Sequence, residues 1–434
     1  MSRTKTTFLA LAATHALVDC FGGVWPIFKF RAGLDLQIAG MLATVTLFIG
    51  ASLQPLFGIW ADHGHQRLFV ILGGALSALG FLFGSVALVF ANSTGDGANW
   101  TTLGYVTLFA LLLLVRIGQA LFHPPGVSLA GNLNPHKRAT WVTAFVATGL
   151  FGFAFSHLLF SASYDWFQGG THWMLIPAAL IVIAAIIWLR PTHAATRRRI
   201  EWREIGEALH EVRGPLFSLF IVQSLMAAAM LGVIFLIPEF TESVGYPRWL
   251  SVGGAFSLYI LGAVIVMVPA GMLADRFGRK RVLVALLALA IVSHYAWVFL
   301  PTWFAVPVPV FCFLCLASGA FCNTANAVTI SLGQHMAPKH ASAISGILMG
   351  LSWACGSWGQ WAVGALASRE SIGYAGALAI IGVVMLPSLL LAMRLKDDRE
   401  REGGEVGVDV LAEPSPLAVA MATPGSEAAP DSTG

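Results

Sequence analysis

The sequence predicts an all-α polytopic membrane protein with twelve transmembrane helices in two six-helix halves. Three observations predict it. Of the 434 residues, 57% are hydrophobic and 11% are charged, with a mean hydropathy of +0.76, whereas a soluble domain carries about a quarter of its residues as charges. The apolar residues gather into about twelve runs of roughly 20, the length a helix needs to cross a ~30 Å hydrocarbon core. Finally, "GIWADHGHQR" (58–67) returns as "GMLADRFGRK" (271–280), so the chain reads as one unit written twice.

The expected spans start at Thr7, Leu36, Leu68, Thr102, Ala139, His172, Pro215, Leu250, Val282, Trp303, Ala341 and Tyr374. Helices are required, because open sheets leave backbone groups unpaired in lipid and the runs lack the alternation of a membrane barrel. The first run follows Arg3 and Lys5, contains Asp19 and lacks a small-residue cleavage site, so it reads as a helix and not a signal peptide. Residues 1–190 form the expected N-terminal half and 214–395 the C-terminal half. The connector, 191–213, is charged and carries Ile200, Ile205 and Leu209 at helical spacing, as a surface-lying amphipathic helix would. The tail, 396–434, is rich in Gly, Ala, Pro, Ser and acids, a composition expected to be disordered.

Placing the N-terminus in the cytoplasm puts 20 of the 25 Lys and Arg residues inside; Lys29, Arg31, Arg248 and Arg369 fall outside and Arg116 within the membrane. That bias predicts a multi-pass protein of the cell membrane with both termini cytoplasmic. The net charge of +3 is then topological and no argument for nucleic acid. Cys20, Cys312, Cys315, Cys322 and Cys355 all fall in apolar spans and read as helix packing, so neither metal nor cofactor is expected. The sequons at Asn92 and Asn99 are read as chance matches in an outer loop.

A second echo strengthens the duplication: "GQALFHPPGVSLAGNLNPHKRATW" (118–141) against "GAFCNTANAVTISLGQHMAPKHASA" (319–343). Duplicated halves are a transporter architecture, with the solute site near the bilayer midplane between them. At these residues the chain resembles the major facilitator superfamily. That family's loop reads roughly Gly-x-Leu-Ala-Asp-Arg-x-Gly-Arg-Lys. The C-terminal copy matches through Gly271, Leu273, Ala274, Asp275, Arg276, Gly278, Arg279 and Lys280; the N-terminal copy keeps Gly58, Ala61, Asp62, Gly64 and Arg67. The resemblance implies the major facilitator fold and loops that latch the halves when the cytoplasmic side is shut.

Within the superfamily, "HALVDCFGGVWP", "SLQPLFGIWAD" and "LFHPPGVSLA" resemble the fosmidomycin-resistance type of exporter, with Phe122-His123-Pro124 matching its Phe-His-Pro. In the fifth span Ser156-His157 stands where antiporters often carry Gly-Pro.

Ionisable groups inside spans are expensive and mark solute or ion pathways. His15 and Asp19 lie at i, i+4, and Arg116, Gln119 and His123 at i, i+3, i+7, each set on one helix face. The resemblance implies that the first and fourth helices of each half line the cavity, and that Arg116 corresponds to an arginine implicated in proton coupling. Asp19 is the expected proton carrier, with Arg116 its expected neighbour; a purely structural Asp–Arg tie is the alternative. The second half offers Asn323, Asn326 and Trp353, a wall suited to an amphipathic organic molecule.

No phosphate loop, His-Glu-x-x-His or Gly-x-Ser-x-Gly is present, so ATP drive is not indicated and no catalytic residue is assigned. The expectation is a secondary active transporter, not an enzyme, moving a small organic solute through the lipid bilayer by alternating access. Protons are the expected drive, drug or amphiphile efflux the expected direction, and a monomer the expected state. Uptake of an organic anion drawn to Arg116, or a transport-like sensor without turnover, are the alternatives.

Overall fold

The computed structural model describes residues 3–61, 65–94, 97–133, 138–189, 212–337, 344 and 347–396. The predicted runs become helices: α1 (Arg3–Arg31), α2 (Leu36–Trp60), α3 (Gln66–Phe90), α4 (Thr102–Asn132), α5 (Arg138–Trp166), α6 (Thr171–Trp188), α7 (Pro215–Ser243), α8 (Leu250–Phe277), α9 (Arg279–Trp303), α10 (Val308–Met336), α11 (Ile347–Ala367) and α12 (Gly373–Arg394). Among the described residues, eleven of these are long and apolar enough to span a membrane. The twelfth, α11, runs as three consecutive pieces, Ile347–Leu351, Ser352–Gly356 and Trp358–Ala367.

Boundaries follow local chemistry. Asp35 accepts from the Ile38 amide (2.8 Å) and Thr101 from the Gly104 amide (3.0 Å), capping α2 and α4 by satisfying amides that have no helical partner. Pro215 opens α7, where its missing N–H costs nothing. Gly278 stands at φ 99° between α8 and α9, a left-handed backbone that favours glycine. The tenth span was expected from Trp303, but Trp303 ends α9 and α10 starts after Pro307. Pro301 is tolerated inside α9, so the break comes a turn later than composition suggests. The predicted start at Ala341, and most of the connector and tail, lie outside the described residues.

The link between α3 and α4 is an antiparallel hairpin, β1 (Ala91–Thr94) and β2 (Gly97–Trp100), with Asn92 opposite Asn99. Trp100 pins it by donating from Nε1 to the Ala32 carbonyl (3.1 Å).

The same pairings occur in both sets of six: α1 packs on α5 as α7 packs on α11, α2 and α3 pack on α4, and α8 and α9 pack on α10. Glycines permit the closest crossings. A Cβ at Gly118 would meet the Ser77 amide nitrogen at 2.7 Å, and one at Gly319 the Tyr259 carbonyl oxygen at 1.8 Å, so α4 and α10 each lie backbone to backbone with a neighbour.

The start of α1, the end of α2, the start of α3 and the α8–α9 link lie on one face of the bundle, here the basic face; the α1–α2 and α7–α8 links lie on the other, the far face. Among the described residues, hydrogen bonds and ion pairs between the halves concentrate toward the far face. Thr44 on α2 donates to the Ser357 carbonyl of α11 (2.8 Å) and accepts from the Trp361 amide (3.2 Å). Ser161 on α5 donates to the Val252 carbonyl (2.6 Å), and Ser257 on α8 to the Ala154 carbonyl (2.7 Å). Lys29 on α1 pairs with Glu239 on α7. The far side is therefore shut.

Candidate functional site

Three side chains from α1 and α4 meet at the middle of the N-terminal half. Asp19 presents Oδ1 to His123 Nε2 at 2.8 Å and Oδ2 to His15 Nε2 at 3.2 Å. The opposite nitrogens are also committed: His15 Nδ1 lies 2.8 Å from the Phe145 carbonyl on α5, and His123 Nδ1 2.8 Å from the Gln119 carbonyl one turn back. His15 is held flat between Phe145 (3.9 Å between centroids) and Phe122 (5.4 Å). His15 is buried, whereas the Asp19 and His123 side chains keep 20% and 32% of their surface, so the trio is open on the His123 side and closed on the His15 side.

The room for this cluster comes from Gly149 on α5. A Cβ there would stand 2.2 Å from Asp19 Oδ2 and 2.5 Å from the His15 ring. The next glycine, Gly152, brings α5 against the Ala16 backbone, which fixes the height of α1 against α5.

Hydrogen-bond bookkeeping constrains the protons. A carbonyl only accepts, so each Nδ1 carries a hydrogen, and a neutral ring then offers a lone pair at Nε2. With Asp19 ionised and both rings neutral, lone pairs face lone pairs at both contacts. One added proton satisfies one contact; two satisfy both. The two contacts thus have places for up to two hydrogens beyond that baseline, each of which would complete one hydrogen bond. Its donor atoms lie within 4.8 Å of one another, compact enough to admit a cation, but protons alone account for the contacts.

Arg116 is not the partner of Asp19. Its Nη1 donates to Gln119 Oε1 (2.9 Å), Gln119 Nε2 approaches the Val18 carbonyl (3.4 Å), and Arg116 Nε is buried without a hydrogen-bond partner. Among the described residues Arg116 has no ion-pair partner. The expected residues thus form two adjoining groups, a carboxylate–imidazole trio of His15, Asp19 and His123 and an Arg116–Gln119 pair.

The C-terminal half supplies amides. Asn323 Nδ2 donates to the Gly319 carbonyl of its own helix (2.8 Å), and Asn326 Nδ2 reaches Met230 Sδ (3.5 Å). Asn326 Oδ1, both polar atoms of Gln223 and Gln360 Nε2 are buried without partners among the described residues. These stand on α10, α7 and α11, which pack together. Trp353 is half-buried against the core. Of the expected loop residues, Asp62 lies outside the described residues. Gly58 rests against Pro124, Arg67 donates to the Ile186 carbonyl of its own half, and a Cβ at Gly271 would meet nothing within 4 Å. Asp275 pairs with Arg279 one turn on (3.5 Å), Arg279 Nε donates to Ser331 (3.2 Å) and Arg276 covers the Phe277 ring.

Gly149, Phe145 and Lys29 carry more of the architecture than the sequence suggested. Gly149 was visible only as part of a glycine-rich run. Lys29, in "PIFKFR", reads as an outer-flank charge, but it is fully buried; the bracketing Phe28 and Phe30 were the available signal.

A duplicated six-helix bundle with ionisable groups at mid-membrane defines a polytopic solute carrier. The chain belongs to the Major Facilitator Superfamily, whose family profile matches residues 7–268 and 249–417. It is 25% identical over 405 residues to the uncharacterized MFS-type transporter YfnC of Bacillus subtilis (strain 168), covering 90% of this chain and 93% of that one. Solved structures share the fold: the nucleoside transporter NupG (TM-score 0.66, 15% identity, 91% of this chain and 99% of that one); a bacterial homologue of the human lysosomal transporter Spinster, inward-facing and occupied (0.67, 15%, 91% and 96%); and a D-xylose-proton symporter (0.67, 15%, 91% and 98%). The protein is a multi-pass membrane transporter of that superfamily, among relatives that are transporters and not enzymes.

Proposed function

We propose that this protein is a proton-coupled secondary transporter that exports a small organic solute of drug or amphiphile type by alternating access. The observation that carries the reading is the Asp19 carboxylate facing two Nε2 atoms whose rings are locked by backbone carbonyls. Such a group cannot satisfy its contacts without gaining protons and loses contacts on releasing them, so its protonation is tied to helix position. The D-xylose-proton symporter of the same fold supports proton drive. Efflux is supported by Phe122-His123-Pro124, the stretch resembling exporters: it provides one imidazole of the trio and one of the rings that stack on the other imidazole.

The halves rock about the central site. The Lys and Arg bias supports reading the basic face as the cytoplasmic one, with both ends inside, and we read the protein as a monomer in the cell membrane. Asp62 and Asp275 latch that face when it shuts, with Gly58, Arg67, Gly271, Arg276, Gly278, Arg279 and Lys280 shaping the loops; with the far side shut, alternation leaves this latch released.

A second reading rests on Arg116. A buried guanidinium with an orphaned Nε and no acid partner among the described residues is suited to an anionic solute, and a proton-coupled uptake system for organic anions would use it so.

Purified protein in proteoliposomes with a pH dye inside, challenged with organic anions, cations and neutral amphiphiles, tests both. Substrate-dependent proton movement is expected, and Asp19→Asn abolishes it in folded protein. Coupling that survives Asp19→Asn refutes the trio as the proton site. If only carboxylates respond, and Arg116→Ala abolishes the response while Arg116→Lys keeps part of it, the anion reading replaces export.

A further inference from the structure

The far seam holds two layers of charge. At the rim, Asp165 pairs with Arg31 of its own half and lies 4.0 Å from Arg248 of the other; Asp165 and Arg248 are exposed, so their cross-half contact contributes little. Beneath them Lys29 of α1 reaches across to Glu239 of α7. The Lys29 side chain has no exposed surface, its Nζ lies 4.2 Å from the Phe235 ring centroid, and Glu239 Oε2 is buried with no hydrogen-bond partner. Apolar groups close the seam around them: Trp25, Phe235 and Phe240 are all fully buried. On the neighbouring crossing of α5 and α8, His157 stacks on Phe256 at 3.7 Å.

We propose that Lys29 and Glu239 are the far-side gate of the transport cycle, an ion pair made when that side shuts and broken into two hydrated charges when it opens. A buried pair in a dry seam gains Coulomb energy but loses the hydration of both charges, so the two states lie close in free energy. An apolar gate would lack that compensation, because opening it only exposes apolar surface to water. The ionic pair therefore sets register in the shut state without locking it.

The signs that follow are unusual. Removing one partner leaves a lone charge in the seam, a cost relieved by opening, so Lys29→Met and Glu239→Gln each shift the protein toward far-side opening. Removing both, in Lys29→Met/Glu239→Met, takes away the hydration gained on opening and shifts it toward closure. A pair that merely staples the fold gives losses of one sign only.

The gate rests on the two-half fold and not on proton coupling. It is read in nanodiscs from the maleimide-labelling rate of Ser161→Cys, with Cys312 and Cys355 replaced by Ser and the reporter-free parent measured alongside. Ser161 is buried at the α5–α8 seam, so its labelling rate follows the open fraction even when opening is rare. Each single variant is expected to label at least about tenfold faster and the double variant several-fold slower. The charge swap Lys29→Glu/Glu239→Lys should return toward the parent rate. Thermal melts separate gating from stapling, since labelling well below the midpoint reports opening and not unfolding. Single variants at the parent rate overturn the gate, as does a double variant that labels as fast as the parent or faster. Should the single variants fail to fold, the double variant and the swap decide alone. Labelling needs neither solute nor gradient, so a failed proton assay leaves this test standing.

Discussion

The two halves share a fold but divide the chemistry. In the N-terminal half, mid-membrane positions carry His15, Asp19, Arg116 and His123; in the C-terminal half, Gln223, Asn323, Asn326 and Gln360 occupy packed helices, and the buried His294 is committed to the Leu378 carbonyl (2.9 Å). Charges respond to protons and potential, whereas amides offer fixed donors and acceptors. On the function proposed above, energy coupling belongs to the first half and solute recognition chiefly to the second, with Arg116 between the tasks. A duplicated fold can specialise in this way because the rocking motion needs both halves but the proton site needs only one.

The sharpest way to break the division is Gly149→Ala. One methyl would enter within 2.2 Å of Asp19 Oδ2 and 2.5 Å of the His15 ring, closer than any real contact, so the carboxylate or the imidazole must leave. Proton movement in the liposome assay should fall to background while solute binding, measured separately, survives. Equal loss of both would show that the halves do not divide the work.

A smaller and opposite effect is expected in the second half from Gln223→Leu. Both polar ends of this fully buried amide lack partners among the described residues. Replacing it by an apolar group of similar volume removes a desolvation penalty of about 1–3 kcal/mol. The melting temperature should rise while the apparent solute KM rises about tenfold, as lost hydrogen bonds to a ligand would give. A stabilised protein with unchanged KM would remove Gln223 from the solute wall.

The fold was legible because its causes are local. Apolar runs fix helix length, and the duplicated loop fixes the repeat. The two helix faces of the site were legible too, since i, i+3, i+4 and i+7 are properties of one helix. What could not be read was which groups meet across helices. Arg116 and His123 share a face but stand seven residues apart, about 10 Å along the axis, so the relative height of α1 and α4 decides which of them faces Asp19. That height depends on close contacts such as the Ala16 backbone against Gly152 of α5 and the Gln119 side chain of α4 against Gly22, which no periodicity encodes. The burial of Lys29 was not legible for a related reason: composition cannot tell a helix-end lysine that snorkels to water from one that turns inward to an acid on a helix two hundred residues away.

The finest test lies within the amide wall, between two asparagines one turn apart on α10. Asn323 Nδ2 is satisfied by its own helix through Gly319, whereas Asn326 is buried with Oδ1 unpaired. An amide already bonded to its own backbone has less to offer a solute, and Asn323→Ala should change stability by no more than about 0.5 kcal/mol and leave KM within about twofold, while Asn326→Leu raises KM several-fold. Flux assays across a homologous solute series would show it as a loss confined to solutes bearing a hydrogen-bond donor, because only a donor can use the orphaned Oδ1. Equal sensitivity of the two positions would mean that α10 turns during the cycle and presents both amides in succession, which would shift part of the coupling work into the C-terminal half.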